Sequence, residues 1–346
     1  MNLLIDEKEY ELQQYVSSNV VGAEIINEGL NIARRVLETE PFREYLNTSG
    51  IFFDGIFTYE SDSINAIAHK EGGTCIVAIS NGLFVRLYKW FQMWKRHPKI
   101  KDIFRLKTEE QTNLFFENSY LFAIFFVTAH ELYHLLNGHC CVNRTRTSMS
   151  EKKVNEEKSQ NLFYQVLEMD ADICAVFYCT NMVWTLNIPL VQKLSTTHCL
   201  LFALYNVFIM FNEKDFDALM SEDFADYDHP HPSIRLAYCF ASIAAQAAGY
   251  VDMKILKYDL YLATSECMEF DRVLLEHHKL KECLSTLAYT EAGANHINAI
   301  SKKWRKVEKM LRKHAYIELI TDYDEITIKP WVTENGEFDL NNILKH

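Results

Sequence analysis

Hydrophobic residues recur with helical spacing over most of the chain, which predicts a largely helical protein. Apolar positions three and four residues apart indicate amphipathic helices, and runs that are apolar on every side indicate helices buried in a core. We therefore expect helices over residues 22–39, 83–95, 109–137, 155–181, 190–212, 233–248, 251–286 and 296–313.

Three other segments have the composition of strands. Residues 74–80, with the sequence TCIVAIS, are apolar and β-branched and are followed by an Asn-Gly turn pair. Residues 51–60 are expected to be β-like, and residues 317–338 are expected to form short strands. The fold class predicted from this pattern is α+β and predominantly helical, with a small β-sheet and extra C-terminal helices.

The pattern also predicts how the chain is organised. We expect an N-terminal helical segment over residues 1–45, a core over residues 46–250, and a C-terminal helical extension with short terminal strands over residues 251–346. Residues 143–160 are polar and contain no apolar anchor, so they are expected to be a mobile connector or a site of proteolytic nicking.

Composition and charge narrow the class of protein. Hydrophobic residues make up 49% of the chain, enough for a large core, and the net charge of −12 argues against nucleic acid as a partner. The longest apolar runs, residues 120–129 and 199–211, are shorter than the roughly 18 residues that indicate a membrane span. The nine cysteines are scattered without a CxxC pair, and residues 1–14 do not resemble a secretory signal. These features predict a cytoplasmic protein without a membrane span.

The most specific chemical signal lies at residues 130–134, which read HELYH and match the HExxH motif. Four residues separate His130 from His134, so on a helix both imidazoles lie on one face and can bind a single metal ion. Glu131 is then placed to take a proton from the water that the metal activates. The alternative is a chance string whose histidines are satisfied core residues.

A third metal ligand is expected from the helix predicted at residues 155–181. Glu168 and Asp172 share one face of that helix. A Glu168 carboxylate would complete a His-His-Glu set with an open fourth position, as in catalytic zinc sites. Asp172 could accept the second ring N–H of a ligand histidine. The alternative is an ordinary amphipathic helix with an acidic polar face.

Residues after the motif offer other ligands. His139 is only five residues beyond His134 and is expected on a different face, as a residue near the helix C-terminus that meets the dipole. The adjacent pair Cys140 and Cys141 could bind metal only if Glu168 does not.

A third cluster occupies residues 228–235, with the sequence DHPHPSIR, at the predicted start of a helix. His229 or His231, together with Arg235, could donate hydrogen bonds to the oxyanion formed when water attacks a carbonyl. The alternative is a proline-capped helix start in which Arg235 makes a surface ion pair with a nearby aspartate.

The segments HELYHLLNGH, LEMDADICAVFYC and HPHPSIRLAYC, in this order, resemble the Lit-type phage-exclusion peptidases, within the HtpX-like gluzincin metallopeptidases. The resemblance covers about residues 75–245 and implies a zincin-like metallopeptidase core. HtpX-type peptidases are membrane-embedded, and this chain departs from them in that respect. The implied roles are zinc ligation by His130, His134 and Glu168, general-base catalysis by Glu131, support of a ligand histidine by Asp172, and an HP-x4-R element of His229 and Arg235.

The predicted function is that of a zinc-dependent endopeptidase that hydrolyses a peptide bond in a cytosolic protein. The resemblance implies phage exclusion or a stress response, with a substrate such as a translation factor. The strand at residues 74–80 is expected to pair with the extended substrate backbone. Two alternatives stay open: a zinc-stabilised regulatory or binding module with a latent or inactive HExxH site, and a metal hydrolase acting on a non-peptide amide.

Overall fold

The computed structural model describes residues 2–5, 8–71, 73–142, 147–148, 158–211, 224–278 and 284–320. The elements in chain order are β1 (Asn2–Ile5), β2 (Lys8–Gln13), α1 (Ala23–Glu38), α2 (Phe42–Thr48), β3 (Phe52–Tyr59), β4 (Ala66–Glu71), β5 (Thr74–Ser80), α3 (Asn81–Arg96), α4 (Pro98–Ile103), α5 (Glu109–Leu136), α6 (His139–Val142), β6 (Thr147–Ser148), α7 (Lys158–Thr185), α8 (Leu190–Phe211), α9 (Pro232–Ala247), α10 (Met253–His278), a 3-10 helix (Leu284–Tyr289) and α11 (Glu291–Leu311).

The strands lie in the order β1-β2-β3-β5-β4-β6. β3 and β5 are parallel, and the other neighbouring pairs are antiparallel. Side chains on β5 alternate between two apolar layers, because successive residues of a strand point to opposite faces. Cys75, Val77 and Ile79 belong to the large core shared with the helices, and Ile76 and Ala78 to a smaller cluster shared with β1 and β2.

Helix α5 occupies the centre of the large core. It begins with a capping box, in which the Thr108 side chain accepts from the Gln111 backbone and the Gln111 side chain accepts from the Thr108 backbone. From Phe115 onward most of its residues are buried, because α1, α3, α7, α8 and β4 pack around it. The last turns of α5 carry the HExxH motif, so the fold places the motif inside the protein.

In the part of the chain that the structure describes, two helices, α5 and α8, are long and apolar enough to cross a membrane. In the most apolar 18-residue window of each helix, 94% of the window in α5 and 72% of the window in α8 is buried within the fold. Core helices of globular proteins have the same property, so these two helices are weak evidence for a membrane location.

The predominantly helical α+β class with a small sheet is confirmed. Residues 1–45, expected to be helical, also contain β1 and β2, whose Leu3, Ile5 and Leu12 cover the second face of the sheet. Of the helix expected over residues 251–286, α10 covers Met253–His278, and residues 284–286 belong to a 3-10 helix.

Two further strands, β4 and β6, were not predicted from the sequence. β4 was missed in the sequence, because its residues AIAHKE have no β-branched run. β6 falls within the expected connector at residues 143–160, most of which lies outside the described residues. Of the residues 317–338 expected to form short strands, residues 317–320 are not in a strand, and the rest lie outside the described residues.

Candidate metal centre

The two motif histidines of α5 face Glu168 of α7 in the interior of the protein. The Nε2 atoms of His130 and His134 lie 2.9 Å apart. Glu168 Oε2 lies 3.3 Å from Nε2 of His130, and Glu168 Oε1 lies 3.3 Å from Nε2 of His134. All three side chains are buried. The structure therefore brings the three predicted ligands to one point.

This group fits a small metal cation. Zinc bonds of about 2.0–2.2 Å in a tetrahedron set neighbouring ligand atoms about 3.3–3.5 Å apart, close to the spacings found here. Among the described residues, His130, His134 and Glu168 are the one group of at least three His, Cys, Asp or Glu side chains with ligand atoms within 4.8 Å of one another. Glu168 Oε2 is buried without a hydrogen-bond partner, as expected of an atom whose partner is an ion. The group could hold a metal ion.

The charges around the group also favour a cation. Burial raises the pKa of Glu168, but His229 and His134 outweigh it and hold that pKa well below its usual range. Burial lowers the pKa of His130, yet Asp172 and Glu168 raise it to about 9. The carboxylates thus stabilise positive charge at the centre of the group.

Asp172 of α7 lies behind His130. Its Oδ1 is 2.8 Å from Nδ1 of His130, the ring nitrogen that faces away from Glu168. A carboxylate in this position holds the proton on Nδ1 and leaves the Nε2 lone pair directed at the metal position. The pKa of Asp172 is lowered, because Arg235 and His130 outweigh the opposing effect of burial.

Arg235 of α9 does not occupy the position expected from the sequence. Its guanidinium is buried and makes a two-point contact with Asp172, Nε to Oδ2 at 2.8 Å and Nη2 to Oδ1 at 2.7 Å. It also lies 4.5 Å above the ring of Phe208. The surface ion pair expected for Arg235 is therefore wrong, because its guanidinium is buried and paired with Asp172. Its Nη1 atom is buried without a hydrogen-bond partner, and the oxyanion role stays a prediction.

Of the two histidines in the HPHP sequence, His229 faces the metal group. Its Nε2 is buried without a hydrogen-bond partner, 3.4 Å from Glu168 Oε2, and its Nδ1 lies 2.8 Å from Asp228 Oδ1. Burial lowers the pKa of His229, but Glu168 and Asp228 raise it to about 10. His231 instead caps α9, where its Nδ1 accepts from the Ser233 backbone N–H at 3.2 Å.

Glu131 lies beside the ligands and is fully buried, with neither carboxylate oxygen hydrogen-bonded. Burial, with a contribution from Glu168, raises the pKa of Glu131 to about 8, against the opposing effects of His130 and of the Ala68 backbone on β4. A carboxyl group with a pKa near neutrality can both accept and return a proton at physiological pH.

The prediction that β5 pairs with the substrate backbone is wrong. β5 lies between β3 and β4, so the hydrogen-bonding groups on both of its edges are already used. β4, the strand that carries Ala68 next to Glu131, is paired with the two-residue β6 at Ile67 and Ala68 on its other edge. The apolar, β-branched sequence of β5 indicated a central strand of the sheet rather than an edge.

The sequence reading also missed two residues, His139 and Asp170. His139 is fully buried at the start of α6, and its Nδ1 lies 2.8 Å from Nδ1 of His134. Asp170 lies 3.0 Å from its other nitrogen. Cys141, an alternative ligand in the sequence, accepts instead from Lys70 Nζ at 3.1 Å. The signal that could have identified His139 was a histidine directly after the glycine that ends the motif helix.

Comparison with known proteins yields no relative: no family model, curated protein or solved structure matches the chain.

Proposed function

We propose that the chain is a zinc-dependent endopeptidase with a zincin-like core. The observation that supports this proposal most strongly is the buried His130, His134 and Glu168 group with the unpartnered carboxylate of Glu131 beside it. Three protein ligands leave one coordination position free, which is the arrangement of catalytic rather than structural zinc. A purely structural site has no use for a buried, unpaired Glu131, whose burial is costly.

A zinc ion held by these residues would polarise the substrate carbonyl and lower the pKa of a water molecule toward neutrality. Glu131 accepts the proton of the attacking water and returns it to the nitrogen of the leaving amine. His229, whose Nε2 is buried without a hydrogen-bond partner 3.4 Å from Glu168 Oε2, is placed to donate a hydrogen bond from Nε2 to the oxyanion. Arg235 and Asp172 keep His130 in the required orientation.

The proposed substrate is a peptide bond in a cytosolic protein. The resemblance to Lit-type peptidases favours a host protein such as a translation factor, cleaved during phage exclusion or stress. The net charge of −12 makes a basic segment a better partner than a nucleic acid.

A second candidate is a zinc-stabilised regulatory module whose site is latent. One observation favours it: His130 and Glu131 are 0% exposed, and Glu168 is 5% exposed. A peptide reaches these atoms only after neighbouring elements move, so hydrolysis requires an opening step.

The test is proteolysis by the purified full chain loaded with zinc. A cytosolic proteome is incubated with wild type, Glu131→Gln or the control Glu117→Gln, which makes the same change at an exposed position of α5. New protein N-termini are then labelled and identified. We expect the same cleavage sites from wild type and Glu117→Gln, and at least a ~10²-fold loss with Glu131→Gln at equal zinc content. Identical products from all three proteins would rule out Glu131-dependent hydrolysis, and no products despite one bound zinc would favour the latent module.

A further inference from the structure

A buried chain of hydrogen-bonding groups leads from His134 away from the metal group. Nδ1 of His134 lies 2.8 Å from Nδ1 of His139, and Nε2 of His139 lies 3.0 Å from Oδ2 of Asp170. Asn137 Nδ2 donates to the same Asp170 oxygen at 2.6 Å. All four side chains are buried, so water does not compete for these contacts.

The chemistry of the group fixes where the protons lie. A histidine that binds metal through Nε2 carries its proton on Nδ1, so His134 must donate to His139. His139 then accepts at Nδ1 and carries its own proton on Nε2, where Asp170 accepts it. The Asp170 carboxylate, at the end of this series of hydrogen bonds, thus selects the tautomer of both the His139 and the His134 ring.

The local backbone explains how His139 reaches this position. Gly138 ends α5 with φ of 78°, a conformation that favours glycine, and the next residue begins α6. A Cβ at Gly138 would lie 2.5 Å from the backbone oxygen of His314, so the segment after α11 packs directly on the turn. The turn brings His139 back beneath His134, which a continuing helix would not do.

The two ligand histidines are therefore supported in parallel from α7. Asp172 contacts Nδ1 of His130 directly. Asp170, two residues earlier on the helix, points in a different direction and reaches His134 through His139. Each ligand thus has its own buried carboxylate, and the sequence EMDAD supplies the ligand Glu168 and both supports.

We propose that His139 and Asp170 are positioning residues that set the tautomer and orientation of His134 for metal binding. The inference rests on the metal site of the proposed function, and it assigns roles to two residues outside the HExxH, Glu168, Asp172 and HP-x4-R set.

The test is zinc affinity of the full chain, measured by competition with a chelator of known affinity. His139→Leu removes the acceptor for His134 Nδ1–H, and we expect zinc binding to weaken about 10-fold to 100-fold. His139→Asn places an amide oxygen where Nδ1 stood, so it should restore most of the affinity. Asp170→Asn should weaken binding about 10-fold in the wild-type background but not in His139→Asn, because an amide has no tautomer to select.

A control separates positioning from general damage to the core. His198→Leu removes a partly buried histidine, held between Asp259 and Glu266 at 3.1 and 2.6 Å, and should lower thermal stability without changing zinc affinity. Cobalt(II) substituted into wild type and His139→Asn should give matching visible spectra, and His139→Leu a shifted one. Equal affinity in wild type, His139→Leu and Asp170→Asn would overturn the inference, as would equal losses in His139→Leu and His139→Asn. A wild type that binds no zinc would instead refute the proposed metal site.

Discussion

Asp172 joins His130 to Arg235 in the interior of the protein: its Oδ1 lies 2.8 Å from Nδ1 of His130 and 2.7 Å from Nη2 of Arg235. The carboxylate neutralises a buried guanidinium and orients a candidate metal ligand at the same time. The other carboxylate oxygen, Oδ2, accepts hydrogen bonds from Arg235 Nε and from the Tyr238 hydroxyl. Helices α5, α7 and α9 are therefore tied together at the metal group by one side chain.

Asp172→Ala should be among the most destabilising single changes in the chain. It leaves the charge of Arg235 buried and unpaired, which costs about 3–5 kcal/mol. The free energy of unfolding of the metal-free protein, measured with urea, checks this. Adding Arg235→Met removes the unpaired charge and should restore part of the loss. Unchanged stability in Asp172→Ala would contradict the buried ion pair.

The sequence predicted the parts of the site that depend on helical spacing. His130 and His134 are four residues apart, as are Glu168 and Asp172, and periodicity alone places each pair on one face. It could not predict the partner of Arg235, because that contact joins residues 63 positions apart and depends on how α7 and α9 pack. The position of His139 beside His134 was not predicted for a related reason: it depends on the left-handed backbone conformation of Gly138 and not on helical geometry.

The same distinction applies to the fold. The long helices were predicted because their patterns extend over many turns. β4 and the β1-β2 hairpin were missed because short strands draw their stability from pairing with distant strands, and their own sequences carry a weak signal.

Glu168→Gln should weaken metal binding while leaving the fold intact. The amide lacks the negative charge that binds a divalent cation, and its size is nearly that of the carboxylate. We expect about one zinc per chain in wild type and much less in Glu168→Gln after equal dialysis, measured by metal analysis. Glu117→Gln is the matched control on an exposed surface. Full zinc occupancy in Glu168→Gln would redirect the search to His139 or to the Cys140 and Cys141 pair.

His229 and His231 should have separable roles. His229→Ala removes the proposed oxyanion donor, so kcat should fall about 10²-fold to 10³-fold with KM nearly unchanged. His231→Ala removes the cap of α9 and should cost about 1 kcal/mol of stability with little effect on kcat, whereas His231→Asn keeps a capping side chain. Cleavage assays and urea unfolding test both. Loss of zinc from His229→Ala would instead make His229 a fourth ligand.

Asp271 of α10 should make stability depend on pH. Burial raises its pKa to about 7, although the Ser285 backbone N–H donates to it at 2.8 Å and the Ser285 hydroxyl also donates. The raised pKa means that the folded state favours the protonated form. The stability that this form contributes is complete below the unfolded pKa of about 3.8 and is lost as pH rises through about 7.

The Asp271→Asn variant has no ionisable group at this position, so it should not show this loss of stability. The difference in free energy of unfolding, variant minus wild type, should rise with pH by up to about 4 kcal/mol in total. About half of this rise should fall between about pH 5.5 and about pH 8.5. Urea unfolding of the metal-free proteins at these two pH values measures the difference. Asp102→Asn changes an exposed carboxylate in the same way and should show almost no dependence of this kind. A difference between Asp271→Asn and wild type that stays constant with pH would mean that the Asp271 carboxyl is not protonated in the folded protein.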